Sequence, residues 1–265
     1  FIASETVAQT LHGYEKNNIY LFLRSKFGAE ETLRLMKDYR VGTSKHWPGS
    51  CVFWQTDING SIRTGKVMLY DAETGKRVKE PFNHVTWVHS LLRLPDFNLR
   101  QCFFGEHLLP MNRGKPVAIV ESEKTSLVGA YYLPEYVWLA TGGKNGCFNT
   151  DALHVLRGRQ VILYPDIGAT DQWRQKLNLL RSLDIEASIF NYLEEVATDN
   201  ERTAGLDIAD YLLQIEPDQA VLQTMIRKNP MLQKLIDDLQ LTLVSVERYT
   251  PDTDAINKTS TPSKQ

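Results

Sequence analysis

The chain has 265 residues, of which 42% are hydrophobic, and its net charge is only −2. This length and composition exclude a largely disordered chain and leave room for two domains of ordinary size. The small net charge argues against a strongly basic nucleic-acid-binding protein. Residues 1–114 nevertheless carry a net charge of +4 and residues 115–265 a net charge of −6. This asymmetry suits a first part that contacts phosphates and a second part that holds cations, or two ordinary solvated surfaces.

The cysteines and the ends of the chain bear on the cellular compartment. Cys51, Cys102 and Cys147 are too isolated in the sequence for a disulfide framework or a zinc knuckle, which favours a reducing compartment. No apolar run approaches the roughly 18 residues of a membrane span, and the N-terminus lacks the pattern of a signal peptide. We therefore expect a cytoplasmic protein without membrane contact. Phe1 as the first residue suggests that upstream sequence has been removed.

The first 114 residues predict a small mixed α+β subdomain. The segment to about residue 40 has helical periodicity with a break at Gly28, and residues 50–56 and 65–70 are strand-like on either side of a turn at residues 57–60. This predicted hairpin, with Trp87 and His89 nearby, would follow a single nucleic-acid strand or would be a solvated face with Trp87 in the core. The candidate phosphate-binding residues here are Arg63, Lys66, Lys76 and Arg77.

Two apolar runs later in the chain each lead directly into an acid. Residues 117–120 precede Glu121, and residues 161–164 precede Asp166 after a single proline. A buried parallel strand places the residue that follows it at the carboxyl edge of the sheet, where open α/β sheets bind ligands. Two carboxylates on neighbouring strands would suit Mg²⁺, or Mn²⁺, and phosphate chemistry. Glu121 is the candidate for a second role as general acid or base.

The chain beyond residue 114 alternates strands and helices. Strands are predicted at 117–120, 137–140, 160–164 and 185–190, with helices between them, so the fold class is α/β with a parallel sheet that has helices on both faces. The polar segment at 112–115 marks the boundary with the N-terminal subdomain. The predicted domains are residues 1–114, residues 115–215, a helical extension at 216–249 and a disordered tail at 250–265.

The same residues resemble the Toprim domain of bacterial DNA primases. The glutamate motif of that family is similar to residues 120–125, although Ser122 and Thr125 replace the usual glycine and aspartate. The Asp-x-Asp motif is similar to residues 164–168, with Gly168 in place of the second aspartate. Asp171 would partly substitute for this missing acid if its loop folds back. A further family segment is similar to residues 205–213, which contain Asp207 and Asp210.

The resemblance covers residues 115–215, and residues 53–60 are similar to the subdomain that precedes the Toprim domain in bacterial primases. The amino-acid sequences of these motifs look like those of primase-like proteins of mobile elements. It implies nucleotidyl or phosphoryl transfer on single-stranded DNA, with nucleotides as substrates and a replicative helicase as a further partner. It also implies Mg²⁺ or Mn²⁺ bound by Glu121 and Asp166, with Asp171, Asp207 and Asp210 assisting. Primases of this kind begin with a zinc-binding module, which is consistent with Phe1 as the first residue.

A glycine-containing loop at 141–146 completes the candidate phosphate site. It follows the second strand of the predicted sheet and would offer backbone N–H groups and one ammonium to a phosphate, or would be a plain turn. Its candidates are Gly142, Gly143 and Lys144. Lys124 adds a charge at the start of the helix that follows the first strand of the predicted sheet. Two alternatives to primase activity stay open: a catalytically degenerate Toprim module that binds nucleic acid or a replication partner, favoured by Gly168 and Thr125, and a metal-dependent nuclease.

Overall fold

The structure is a computed structural model, and it describes residues 1–143, 146–216, 219, 222–223, 225–226 and 229–243. Residues 1–215 form one compact unit and residues 216–265 a second. Lys144 of the predicted phosphate loop and the tail predicted at 250–265 lie outside the described residues. In the second unit, the helix that spans Met231–Leu239 exposes most of its apolar side chains. No helix in the described part of the chain is long and apolar enough to cross a membrane.

The N-terminal part of the first unit is an antiparallel sheet with helices before and after it. The break at Gly28, predicted from the sequence, is confirmed, because one helix ends and the next begins there. The helices are α1 (Ser4–Ala8), α2 (Asn18–Phe27), α3 (Ala29–Asp38) and α4 (Val88–Leu91). The strands, in sheet order, are β1 (Val41–Thr43), β2 (Cys51–Thr56), β3 (Ile62–Met68) and β4 (Val85–Trp87). The tight turn predicted between the second and third strands is also confirmed, since the Gly60 N–H donates to the carbonyl of Asp57.

The second part of the unit contains a four-stranded parallel sheet. Its strands are β5 (Val117–Val120), β6 (Val137–Ala140), β7 (Val161–Leu163) and β8 (Ala187–Ile189), in the order β6-β5-β7-β8. The strand pairs are parallel throughout, as the alternation of strands and helices predicted. Every residue of β5 and β6 is buried, which explains why their sequences are uninterrupted apolar runs.

Helices lie on both faces of the parallel sheet, which confirms the predicted fold class. On one face, α5 (Glu123–Tyr132) approaches so closely that a Cβ at Gly129 would lie 2.4 Å from the Trp138 ring. On the other face, side chains from two helices pack on the strands. These are α6 (Thr150–Leu153) and α7 (Thr170–Ser182). The remaining short helices of the unit are α8 (Tyr192–Val196), α9 (Asp199–Ala204) and α10 (Ile208–Leu212).

Buried polar contacts join the two sheets within the unit. The Lys66 ammonium on β3 lies 3.1 Å from a carboxylate oxygen of Glu123, and it also donates to the carbonyl of Gly142 at 2.8 Å. Glu106, which is 2% exposed, accepts the backbone N–H of Ile58 in the β2–β3 turn. The Tyr39 hydroxyl donates to the carbonyl of Trp138 on β6. The N-terminal sheet is therefore anchored to the carboxyl edge of the parallel sheet.

Candidate metal and phosphate site

Glu121 and Asp166 lie at the same edge of the parallel sheet. Strands β5 and β7 are direct neighbours, with Ile119 paired to Leu163, and each acid follows the end of its strand. Both residues are half-buried. The indole N–H of Trp173, which is fully buried in α7, donates to Glu121 Oε1 at 3.0 Å and so fixes the orientation of this carboxylate. The juxtaposition predicted from the two apolar runs is therefore present.

Two more acids reach the same edge from the segment around α10. The pKa of Asp166 is raised to about 8, first by burial and then by the negative charges of Glu121, Asp207 and Asp210, while Lys176 opposes the rise. The Ile167 N–H donates to a backbone carbonyl immediately before Asp207, which brings the two segments together. We call Glu121, Asp166, Asp207 and Asp210 the acid cluster.

Asp207 and Asp210 also have a structural task at the start of α10. The Asp207 carboxylate accepts the backbone N–H groups of Ala209 and Asp210, and Asp210 accepts the backbone N–H of Asp207 in return, which forms a reciprocal capping box. The Thr125 hydroxyl donates to the second oxygen of Asp207. Burial, and then Asp210, raise the pKa of Asp207, whereas the Thr125 hydrogen bond and Lys124 lower it. The threonine that departs from the family motif therefore orients an acid instead of supplying one.

Asp171 does not join the acid cluster, contrary to the sequence prediction. It lies in the first turn of α7, its side chain is 92% exposed, and it forms an ion pair with Arg174 at 2.6 Å. In the loop before α7, the Gly168 N–H donates to the carboxylate of Glu194 at 2.7 Å. Asp171 therefore does not replace the second aspartate of the family motif at this edge.

Lys66 is not on an exposed hairpin face, where the sequence placed it. Its side chain is 9% exposed and that of Glu123 is 2% exposed, so the two form a buried ion pair. Glu123 Oε1 has no hydrogen-bond partner among the described residues, and neither has the Gln55 amide. A Cβ at Gly142 would lie 3.4 Å from Glu123 Oε1 and from Gln55 Nε2, so both polar atoms face this glycine.

The loop that follows β6 departs from the predicted phosphate cradle. Gly142 and Gly143 have φ values of 81° and 137°, a backbone conformation that glycine adopts without strain. The Gly142 N–H, however, donates to the carbonyl of Glu121, and the Thr141 hydroxyl donates to the carbonyl of Gly143. The N–H of Gly142 is therefore occupied, and the loop is held against β5 by its own backbone and against β3 by Lys66.

The predicted basic residues of the N-terminal subdomain differ in their surroundings. Lys76 and Arg77 are exposed. Arg63 forms an ion pair with the nearly buried Asp57 and lines a cleft of about 580 Å³. Lys124, at the parallel sheet, is half-buried beside Asp207. The exposed pair and the buried Lys66 therefore cannot belong to one continuous binding surface.

Sequence reasoning missed Lys176, whose ammonium lies 3.9 Å from the centre of the Trp173 ring. The two residues are three positions apart on α7, so they share a helix face. This spacing was the sequence signal that could have identified Lys176, because a lysine one turn after a core tryptophan lies on the same face of the helix, which here packs on the parallel sheet.

The donor set fits a hard divalent ion without forming a closed site. Among the residues that the structure describes, no three His, Cys, Asp or Glu side chains are close enough to hold a metal ion as they stand. Mg²⁺ is nevertheless commonly bound through one or two carboxylates, with water and substrate phosphate completing its coordination. Glu121 and Asp166 supply such a pair, and the mutual repulsion within the acid cluster is the condition that a cation relieves.

The fold is similar to that of primase catalytic cores. The RNA polymerase domain of Mycobacterium tuberculosis primase DnaG is 11% identical with a TM-score of 0.50, over 82% of this chain and 79% of that chain. The same domain in complex with double-stranded DNA is 11% identical with a TM-score of 0.51, over 82% and 76%. The primase fragment of the bacteriophage T7 primase-helicase protein is 16% identical with a TM-score of 0.40, over 65% and 70%.

Residues 17–167 match the family described as a domain of unknown function, DUF6371, and the chain belongs to this family. No curated protein matches the sequence.

The buried ion pair yields a prediction about stability. Lys66→Met should lower the free energy of unfolding by about 3 to 5 kcal/mol, because it leaves the Glu123 carboxylate buried without its partner. Adding Glu123→Gln should recover part of this loss. Chemical denaturation measures both, with Lys76→Met as the control that removes an exposed lysine. If Lys66→Met is as mild as Lys76→Met, the pair does not anchor the sheets.

The raised pKa of Asp166 predicts a pH dependence in metal-free buffer. Between about pH 4 and pH 8 the folded chain keeps a proton that the unfolded chain has released, so stability should fall as pH rises through this window. Asp166→Asn should remove most of this slope and raise stability at pH 8 by about 1 to 2 kcal/mol, a value reduced for solvent screening. Asp171→Asn should keep the native slope. Parallel slopes for all three chains would contradict the assignment.

Proposed function

We propose that this chain is the catalytic core of a DNA-primase-like Toprim protein that transfers nucleotidyl groups on single-stranded DNA during replication of a mobile element. The observation that carries the proposal is the acid cluster at the carboxyl edge of the parallel sheet, in a chain whose fold is similar to primase catalytic cores. In this proposal residues 115–215 are the Toprim domain and residues 1–114 the preceding subdomain.

Glu121 and Asp166 are the proposed ligands of Mg²⁺ or Mn²⁺. When bound, the ion would offset negative charge that develops on the reacting phosphate. The side chains around the acids orient their carboxylates. Trp173 holds one oxygen of Glu121 and leaves the other available. Thr125 holds Asp207, so that this acid and Asp210 would accept hydrogen bonds from water at the edge. Lys124, beside Asp207, is the proposed contact for a nucleotide phosphate.

The exposed surface around the turn at residues 71–76, which follows β3, is the proposed contact for single-stranded DNA. Lys76 and Arg77 are exposed there. In the loop that follows, the Phe82 side chain is 53% exposed and its ring stacks on His84 at 4.1 Å with an interplanar angle of 25°. Exposed cations beside a stacked aromatic pair suit a strand whose phosphates meet the cations and whose bases stack on the ring. The family resemblance further supports a replicative helicase as a protein partner.

A non-catalytic module is the second candidate function. Gly168 is exposed, carries no carboxylate and donates its N–H to Glu194, and Asp171 points away from the acid cluster. An edge with fewer ligands than the family motif would bind nucleic acid or a replication partner without chemistry. A nuclease on the same scaffold would share the metal site, and it is distinguished from a primase by whether labelled DNA is cut or a primer is extended.

The metal site is tested first by Mn²⁺ calorimetry on the native chain, Glu121→Gln and Asp166→Asn. We expect saturable binding in the native chain that weakens by at least about tenfold in either variant, because each removes one charged ligand. Asp171→Asn is the matched control and should bind as the native chain does. Binding that neither substitution weakens, or no binding at all, would favour the non-catalytic module.

DNA binding is tested by fluorescence anisotropy with a labelled single-stranded oligonucleotide. Lys76→Ala with Arg77→Ala should weaken binding and reduce the dependence of log K on log salt by about 0.7 per lost phosphate contact. Phe82→Ala should cost about 1 to 3 kcal/mol with little change in that dependence, because it removes a stacking contact. The exposed Arg157 supplies the control, Arg157→Ala. Equal effects of all the variants would place the DNA elsewhere.

A further inference from the structure

The ammonium of Lys176 is buried and unpaired. Its Nζ atom has no hydrogen-bond partner among the residues that the structure describes. It lies over the Trp173 ring at 3.9 Å and over the Phe148 ring at 5.3 Å. A buried cation with three unused donors is costly unless a nearby negative charge compensates for it, and the two ring faces provide only part of that compensation.

The missing compensation lies at the N–H edge of the Trp173 ring. The same indole whose face contacts Lys176 donates its N–H to Glu121 at 3.0 Å. Burial lowers the pKa of Lys176, and the charges of Glu121 and Asp166 raise it, so the ammonium and these carboxylates attract one another. No salt bridge within 4.0 Å joins them among the described residues, so the attraction acts across the indole and the strand ends.

We propose that Lys176 is a positioning residue of the acid cluster, a resident counter-cation that lies over the Trp173 ring and offsets the charge of Glu121, and that of Asp166 where this acid is ionised, when no metal is bound. The edge then keeps its carboxylates together in the free protein, and a divalent ion binds against the repulsion of the ammonium. The second statement rests on the proposed function, whereas the first does not require a metal.

The metal-free part is tested by a double-mutant cycle of Lys176→Met and Glu121→Gln, measured by urea denaturation in chelator. Met keeps the contact with the aromatic rings, and Gln keeps an oxygen for the Trp173 N–H, so each change removes mainly charge. The shift of the denaturation midpoint caused by Lys176→Met should be at least about halved in the Glu121→Gln background, as expected for two coupled charges. Lys176→Arg, which keeps the cation over the ring, should stay close to the native midpoint. Equal shifts in the two backgrounds would overturn the proposal.

Mn²⁺ calorimetry tests the second part. Lys176→Met should bind Mn²⁺ about fivefold more tightly, because the substitution removes the repulsion between the ammonium and the divalent ion. Arg174→Met removes a positive charge from the exposed face of the same helix and should leave the affinity unchanged. Unchanged or weaker binding by Lys176→Met would overturn this part. If the native chain binds no Mn²⁺, the proposed function fails, and the double-mutant cycle still decides the role of Lys176.

Discussion

The buried ion pair between Lys66 and Glu123 is the contact on which the arrangement of the candidate site depends. It joins β3 of the antiparallel sheet to the first residue of α5, and the same ammonium holds the carbonyl of Gly142. A buried pair is a costly way to join two parts of a protein, because desolvation cancels much of its attraction. Its contribution is geometric specificity, since among the residues that the structure describes neither charge forms another ion pair.

This anchor gives different surroundings to two acids that are only two residues apart in the sequence. Glu123 contacts Lys66 of the N-terminal sheet, whereas Glu121, two residues earlier, accepts the Trp173 N–H and belongs to the acid cluster. The Gly142 loop lies between these environments, with its N–H bound to Glu121 and its carbonyl bound to Lys66. A displacement of the N-terminal sheet would therefore be transmitted to the strand end that carries Glu121.

Local sequence patterns predicted much of the fold and the placement of Glu121 and Asp166 at one edge of the parallel sheet. Strands β5 and β6 could be predicted from their uninterrupted apolar runs, because a strand buried on both faces requires such a run. The acids after β5 and β7 could be placed at the sheet edge because these runs end abruptly. The burial of Lys66 could not be predicted from alternation along a hairpin, since its partner is 57 residues away in the chain. The loop before Asp171 is likewise held by a long-range contact, the hydrogen bond from Gly168 to Glu194, 26 residues away in the chain. Periodicity indicates which face of a strand is buried, but not which distant side chain meets it.

The electrostatics of the parallel sheet edge connect these observations. Four carboxylates approach one another there, and hydrogen bonds hold three of them in place: Trp173 holds Glu121, and the α10 capping box, with Thr125, holds Asp207 and Asp210. Asp166 has no such hydrogen bond among the described contacts, and its pKa is raised first by burial and then by the negative charges of the cluster. A cation at this edge would favour the charged form of Asp166, the acid at the end of β7. A bound metal ion would therefore act on Asp166 and on the ammonium of Lys176, which lies over the Trp173 ring.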